Sequence, residues 1–460
     1  MAPFTSSGPF PVANGTLSFW QTDPDRLANY RSTELLPEES DVLIIGSGIS
    51  GTSVAYHFLK DNPNPPSITI LEARQACSGA TGRNGGHMRP TPVMSIVEHY
   101  HEHGLEAALE IANFEADHLS AIHDVVRDEN IDCDFTITRS FDTFLDEQTA
   151  KEMSDEYNSL ISKGVKFRQD TQHSFKDAER ITGIKGAKGC FHFTAAHLWP
   201  YKFVLHLLNL VVSKGVNLQT NTPVVTIDEH PDKHGRWHVH TKDRGVIKAK
   251  KVIFATNAYT PGVAPQYQRQ IVPIRGYVTR IVAPDGKPAP YFPITTTLQW
   301  RAWEFDYVIA RPDGSIIVGG GKKAHAADFN CWYDNVNDND SMEYTRAYFE
   351  KYMQRHFIGW EDSEAQLDRA WTGIMGFSAD GLPHIGEVPG KADQYILAGF
   401  NGHGMPVCFL AARGIAQMVR DKLSFEQTGL PRLYKTTQSR LDNAKNVILE
   451  EFNKYAAAKL

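Results

Sequence analysis

Three closely spaced glycines, Gly46-Ser47-Gly48-Ile49-Ser50-Gly51, stand directly after the apolar run Asp41-Val-Leu-Ile-Ile45. This spacing suits phosphate binding. The first glycine permits a tight turn, the second lets backbone approach a pyrophosphate, and the third lets a helix pack close to a strand. The N-terminus of that helix attracts the anion. Glu72 closes a second apolar run that begins at Ser67, where a carboxylate can grip a ribose hydroxyl. Strand, helix, strand and acid together point to a dinucleotide. A second glycine-rich stretch follows at once, Cys77-Ser-Gly79-Ala80-Thr81-Gly82-Arg83-Asn84-Gly85-Gly86-His-Met-Arg89. A nicotinamide dinucleotide has no need of it. A cofactor with a flavin end does, because backbone must come close along its ribityl chain, and the cofactor is therefore read as FAD. Ala73 and Arg74, beside Glu72, belong to the same predicted site.

The elements that must position these residues recur along the chain. Ala255-Thr256-Asn257-Ala258-Tyr259 ends a strand begun at Val252, and Gly399 to Gly404 ends another begun at Tyr395. Ligands of open α/β sheets bind beyond the carboxyl ends of strands, so Thr256, Asn257, Ala258, Gly402, His403, Gly404 and Met405 join the cofactor site. Val224 occupies a strand position where an adenine could pack. The helix predicted from Cys408 to Asp421 would aim its positive end at the flavin. Helical patterns run over Pro92–Glu129, Lys151–Lys163, Phe203–Lys214 and Glu343–Phe357, and alternating strands over Ile271–Val282 and Tyr307–Val318. The expected fold is α/β: a Rossmann-like FAD-binding domain from 36–100, 196–270 and 366–425, interleaved with a mixed-sheet substrate domain from 101–195 and 271–365. Residues 1–35, rich in Pro, Ser, Thr and Asn, are an extension expected to drape over the surface, and 426–460 is a helical tail.

Composition narrows the classes. With 47 Lys and Arg against 54 Asp and Glu, the net charge of −7 argues against nucleic-acid binding. No apolar run approaches a membrane span and no secretory signal is read. Five scattered cysteines, none spaced as CxxC, argue against a disulfide framework or a structural zinc and suit a reducing compartment. No metal is expected: His99, His101 and His103 read as a solvated helix face. Lys322 and Lys323, after Gly319-Gly-Gly321, could place a cation over the flavin to assist oxygen reduction, but the favoured reading is surface lysines after a turn.

The chain resembles the D-amino-acid oxidase-like (DAO) FAD family, nearest to its sarcosine oxidase and γ-glutamylputrescine oxidase branch. The likeness rests on Gly46–Gly51, Glu72, Ser78–Gly86, Ala255–Tyr259, Pro273-Ile-Arg-Gly-Tyr277, the stretch from Trp371 to Gly386, and Gly399-Phe-Asn-Gly-His-Gly-Met405. It implies a C–N bond oxidation of a primary or secondary amine: hydride passes to the flavin, the imine is hydrolysed to a carbonyl, and molecular oxygen yields hydrogen peroxide. Rivals on the same fold are an amine dehydrogenase with another acceptor and a non-catalytic FAD-binding assembly protein. His403 and Met405 are placed beside the flavin. Tyr259, Tyr277, Trp300, Trp303, Tyr307 and Trp371 are candidates for an aromatic cage around the amine. Two departures matter. The cysteine that tethers the flavin in some relatives is missing from Gly373-Ile-Met-Gly-Phe, so FAD is expected to be non-covalent. The base after the GHG turn is replaced by Met405-Pro406, which leaves Arg89 as the single carboxylate anchor. Ala458-Lys459-Leu460 is similar to the Ser-Lys-Leu peroxisomal address. It implies an import receptor as partner and a peroxisomal, otherwise cytoplasmic, enzyme.

Overall fold

The computed structural model describes residues 8–284, 287, 289–301 and 304–457. Trp303 and Ala458-Lys459-Leu460 lie outside the described residues. Strand β1 (Glu39–Ile45) turns at Gly46, whose φ of 109° only glycine adopts without strain, and leads into helix α1 (Ile49–Leu59). Strand β2 (Ile68–Leu71) follows, buried at every position. Helices α2 (Met94–His103) and α3 (Leu105–Asp128) precede β3 (Thr136–Phe144). Then come β4 (Val246–Phe254), β5 (Ile271–Val282), β6 (Thr295–Arg301), β7 (Glu304–Ala310) and β8 (Ile316–Gly320). Strands β9 (Gln366–Ser378) and β10 (Gln394–Ala398) and helices α4 (Cys408–Arg420) and α5 (Val447–Ala457) complete the set used below.

Two sheets result. In the first, β10, β4, β1, β2 and the strand Asn217–Gln219 run parallel, and His384–Glu387 closes one edge antiparallel to β10. Parallel strands covered on both faces read as unbroken apolar runs, which is why β1 and β2 were plain in the sequence. Helix α1 packs against α4 and the helix Pro200–Ser213. The second sheet is mixed, in the order β9, β5, β8, β7, β6, β3, Gly189–His197, His87–Met88. Its register sets Asp142, Thr297, Tyr307 and Gly319 opposite one another in a single row. Residues directly opposite one another share a face, and this face turns toward the cofactor loop, where the Tyr307 ring leaves no room for a side chain at Gly85. The α/β fold with an interleaved mixed sheet is the one expected.

Several expectations need correction. The N-terminal extension is not a surface drape: Trp20 and Leu27 are fully buried, because Phe19, Trp20, Trp199 and Trp371 form one aromatic cluster. The third FAD segment begins too early at 366, since β9 pairs antiparallel with β5 and belongs to the second sheet. The strand His87–Met88 also joins that sheet. Helix α3, assigned to the substrate domain, buries Ile111, Phe114 and Ile122 in the core shared with α1 and α4. The helix expected over 92–129 breaks at Gly104, where φ is 82°, and the one over 343–357 breaks at Lys351, where φ is 52°. The tail is mostly turns and short 3₁₀ segments before α5. Among the described residues, no helix is long and apolar enough to cross a membrane.

Candidate active site

One cavity of about 940 Å³ lies beyond the carboxyl ends of β1, β4 and β10 and reaches the row-bearing face of the second sheet. Every predicted cofactor residue except Ser47, Gly51 and Gly86 borders it. Those three act from behind the wall. A Cβ on Gly51 would come within 2.0 Å of the Gly46 carbonyl oxygen, so only glycine lets α1 sit this close to β1. Ser47 donates from its N–H (3.0 Å) and its hydroxyl (2.7 Å) to Glu72 Oε2, and the Arg74 N–H donates to Oε1 (3.0 Å). The Glu72 carboxylate is thus held at the mouth of the glycine turn. Gly86, at φ 80°, packs against Trp20 and the Leu198 carbonyl oxygen. The N-terminus of α1 has no side-chain cap of its own, though the Ile49 N–H donates to Thr81 Oγ1 at 3.0 Å. This ties the first glycine loop to the second.

A third anchor was not foreseen. Asp338, fully buried, accepts from both terminal nitrogens of Arg74 (3.0 and 2.9 Å) and lies 3.3 Å from Arg83 Nε. Asn257, at φ 44°, turns its Oδ1 to the Gly399 N–H at 3.1 Å and so couples the ends of β4 and β10.

Residues 41–418 match the FAD-dependent oxidoreductase (DAO) family. The chain belongs to that family. It is 24% identical over 410 residues to a probable oxidoreductase, OrdL, of Haemophilus influenzae, covering 86% of this chain and 88% of the relative. It is 23% identical over 385 residues to the γ-glutamylputrescine oxidoreductase of Escherichia coli, covering 83% of each. Among solved structures, glycine oxidase from Geobacillus kaustophilus superposes with a TM-score of 0.66 at 16% identity, over 84% of this chain and 96% of that one. L-Proline dehydrogenase from P. horikoshii gives 0.66 at 18% identity, over 85% and 95%.

FAD fits the residues present. The glycine turn and the open N-terminus of α1 suit the pyrophosphate. Glu72 stands where a ribose would lie, Val224 is a buried apolar wall beyond it, and Gly85, Gly402 and Gly404 border the same cavity.

The far end of this DAO-family cavity is built from pairs. Arg89 is buried, and its guanidinium is already engaged: it pairs with Asp142, donates to Ser140 Oγ at 2.8 Å and lies 5.0 Å from the Phe193 ring centroid. Asp142 Oδ1 also accepts from Thr297 Oγ1 at 2.9 Å, while Oδ2 has no partner among the described residues. His403 Nε2 lies 3.3 Å from Glu115 Oε1. Burial disfavours the His403 cation, but the Glu115 carboxylate prevails and holds its pKa above the ordinary imidazole value. His87 is pushed well below that value by burial, so it is a neutral wall residue hydrogen-bonded to Thr295 Oγ1.

The aromatic cage does not assemble as predicted. Tyr307 borders the cavity on the flavin-side face, and burial raises its pKa. Tyr259 also borders the cavity, but among Arg74, Arg83 and Asp338 at the cofactor end, with its hydroxyl unpartnered among the described residues. Tyr277 borders the cavity too, but it stacks on Phe349 (5.8 Å, 9°), on the face opposite Tyr307 because the two strands place them in adjacent register rows. Trp371 lies behind the wall and donates to the Arg83 carbonyl oxygen at 2.7 Å. Trp300 donates to buried Asp306 at 2.9 Å and does not border the cavity. Lys322 is no surface lysine: it borders the cavity, and burial lowers its pKa to about 8. Lys323 packs over Trp300. His99 and His103 are not a purely solvated face either, since both border the cavity beside Glu98 and Glu102. Among the described residues, no three His, Cys, Asp or Glu groups are placed to hold a metal.

Glu115 and Asp142 were missed. Each carried a faint signal, a carboxylate set within an otherwise apolar pattern: Phe114 and Ala116 flank the one, and Phe141 and Phe144 bracket the other.

Proposed function

We propose that this protein is an amine oxidase that acts on a primary or secondary amine without a carboxylate on the reacting carbon. FAD, when bound, accepts the hydride from the carbon next to nitrogen. The observation that carries the substrate choice is the Arg89–Asp142 pair. A substrate carboxylate would have to compete with Asp142 for Arg89 and lie close to a second buried carboxylate. Desolvating an ion costs several kcal/mol unless it is well paired, so this wall disfavours an α-amino acid and tolerates a cation. Glu98, Glu102 and Glu115 line the same end and add to that preference.

An amine must shed a proton before its nitrogen can support loss of hydride. His403, held at Nε2 by Glu115, is the group assigned to take it, on its other ring nitrogen and in its neutral form. Tyr307 and Met405 exclude water from the reacting end. The flavin is held without a covalent bond: Cys408 borders the cavity, but burial pushes its thiol up to about 12, which leaves almost no thiolate to attack. Dioxygen is the proposed electron acceptor. Steady-state turnover of simple amines with oxygen consumption and peroxide formation is the expected result. Turnover only with an artificial electron carrier, in air-saturated buffer, would make the protein a dehydrogenase instead.

A further inference from the structure

The family match begins at residue 41, and the segment in front of it has no assigned role. Phe10 and Pro11 border the cofactor cavity near Val224 and Val263. The Phe10 ring lies 3.3 Å from where a Cβ on Gly262 would stand, just after the Ala255–Tyr259 strand end. Two residues on, the Val12 carbonyl oxygen accepts from Arg74 Nη1 at 3.1 Å, beside Glu72. Gly15 passes so close to Arg83 and Asp338 that a Cβ would lie 2.5 Å and 2.7 Å from them. Thr16 donates its N–H to the Asp338 carbonyl oxygen (2.8 Å), and its hydroxyl accepts from Arg83 Nη1 and the Thr372 N–H, both at 3.2 Å. Ser18 Oγ donates to the Gly82 carbonyl oxygen at 2.6 Å, and Trp20 Nε1 donates to that of Asn84. The segment therefore touches, in order, the end of β4, the neighbour of Glu72, and the three central residues of the flavin loop.

We propose that residues 8–20 are part of the FAD site: a strap that runs along the cofactor from its nucleotide end to the flavin loop and slows its release. Phe10 and Pro11 supply cavity wall. Val12, Thr16 and Ser18 fix Arg74, Arg83 and Gly82, three residues that also shape the pocket or its backing. Trp20 is the fixed end, since its burial among Phe19, Trp199 and Trp371 holds it whether or not the cofactor is present. The part ahead of Ser18 is more exposed, with Ala13, Asn14 and Leu17 open to solvent. Its partners are the cavity residues Arg74 and Arg83 and, behind the wall, Asp338 and Thr372. Loss of the free end therefore loosens FAD more than it loosens the fold.

The test compares the full chain with a variant lacking residues 2–13, which keeps Ser18 and Trp20, and with Phe10→Ala. FAD release is followed by the rise in flavin fluorescence after dilution, and melting is measured for the FAD-bound and apo forms of each protein. The strap predicts release at least about tenfold faster in the deletion, an intermediate rate in Phe10→Ala, and melting lowered mainly in the FAD-bound form. Release rates within twofold of the full chain in both variants would overturn it. So would an equal fall in melting temperature of bound and apo forms, because the segment would then brace the fold rather than the cofactor.

Discussion

The two ends of the cavity are held by different means. At the nucleotide end, Glu72, Ser47 and Arg74 lie within 28 residues of one another, and their bonds are largely backbone to side chain. At the amine end, Arg89 meets Asp142 across 53 residues, and His403 meets Glu115 across nearly 300. The first arrangement is mainly a local loop geometry, to which Asp338 adds one distant hold, on Arg74 across 264 residues and on Arg83. The second is a choice of partners made by the fold, and it is where one member of this family can differ from another. Binding of the cofactor and selection of the substrate are therefore expected to be separable, each open to change alone.

The largest expected effect falls on the nucleotide end. Glu72→Ala removes the acceptor of three hydrogen bonds along with the carboxylate expected to face the ribose. It should weaken FAD binding by about 1–3 kcal/mol, the scale of lost hydrogen bonds to a charged group, and leave the amine preference unchanged in FAD-saturated enzyme. Fluorescence titration of apo-protein measures the first and competition between amines the second. A changed amine preference would show that the ends are not independent.

Asp142→Asn tests the other end. It frees Arg89 to act as a carboxylate anchor. The ratio of kcat/KM for an α-carboxylated substrate over its plain amine should rise by about tenfold, or about 1.4 kcal/mol of transition-state binding, with FAD affinity unaltered. A fall in that ratio would remove Asp142 from substrate selection.

Glu115→Gln gives a smaller, pH-dependent effect. The folded His403 pKa is raised above its unfolded value of about 6.5. The pair therefore stabilises the fold fully below that pH and loses its contribution as the pH rises through the folded value. The melting temperature of the wild type should exceed that of Glu115→Gln by more at pH 6 than at pH 9. The opposite trend would mean that Glu115 does not face a protonated His403.

The smallest effect distinguishes wall from backing. Trp371→Phe loses one buried hydrogen bond to the flavin loop, worth about 1 kcal/mol of stability, and should leave KM for the amine unchanged. A raised KM would return Trp371 to the substrate cage.

The contrast between the ends also explains what the sequence made legible. The βαβ unit, the flavin loop and the GHG turn could be read because glycine at fixed offsets reports backbone geometry directly. The parallel strands could be read because burial on both faces leaves unbroken apolar runs. The aromatic cage was only partly legible, with Tyr259, Tyr277 and Tyr307 on the cavity and Trp300 and Trp371 off it, because a sequence shows which residues are large and flat but not which face of a strand they take. Tyr277 and Tyr307 sit one register row apart and so point opposite ways. Trp20 was missed because the polar residues around it resemble a loose extension, and only the cluster with Trp199 and Trp371 draws it inward. Asp142 and Glu115 have meaning only beside partners far away in the chain.

The Arg89–Asp142 wall is proposed to select an amine over its α-carboxylated analogue. Anaerobic mixing of the enzyme with matched pairs of the two, followed by loss of oxidised-flavin absorbance, tests it without involving the electron acceptor. The plain amine should bleach the flavin at least about tenfold faster at equal subsaturating concentration. Faster bleaching by the α-carboxylated member would contradict it and restore Arg89 as a working carboxylate anchor.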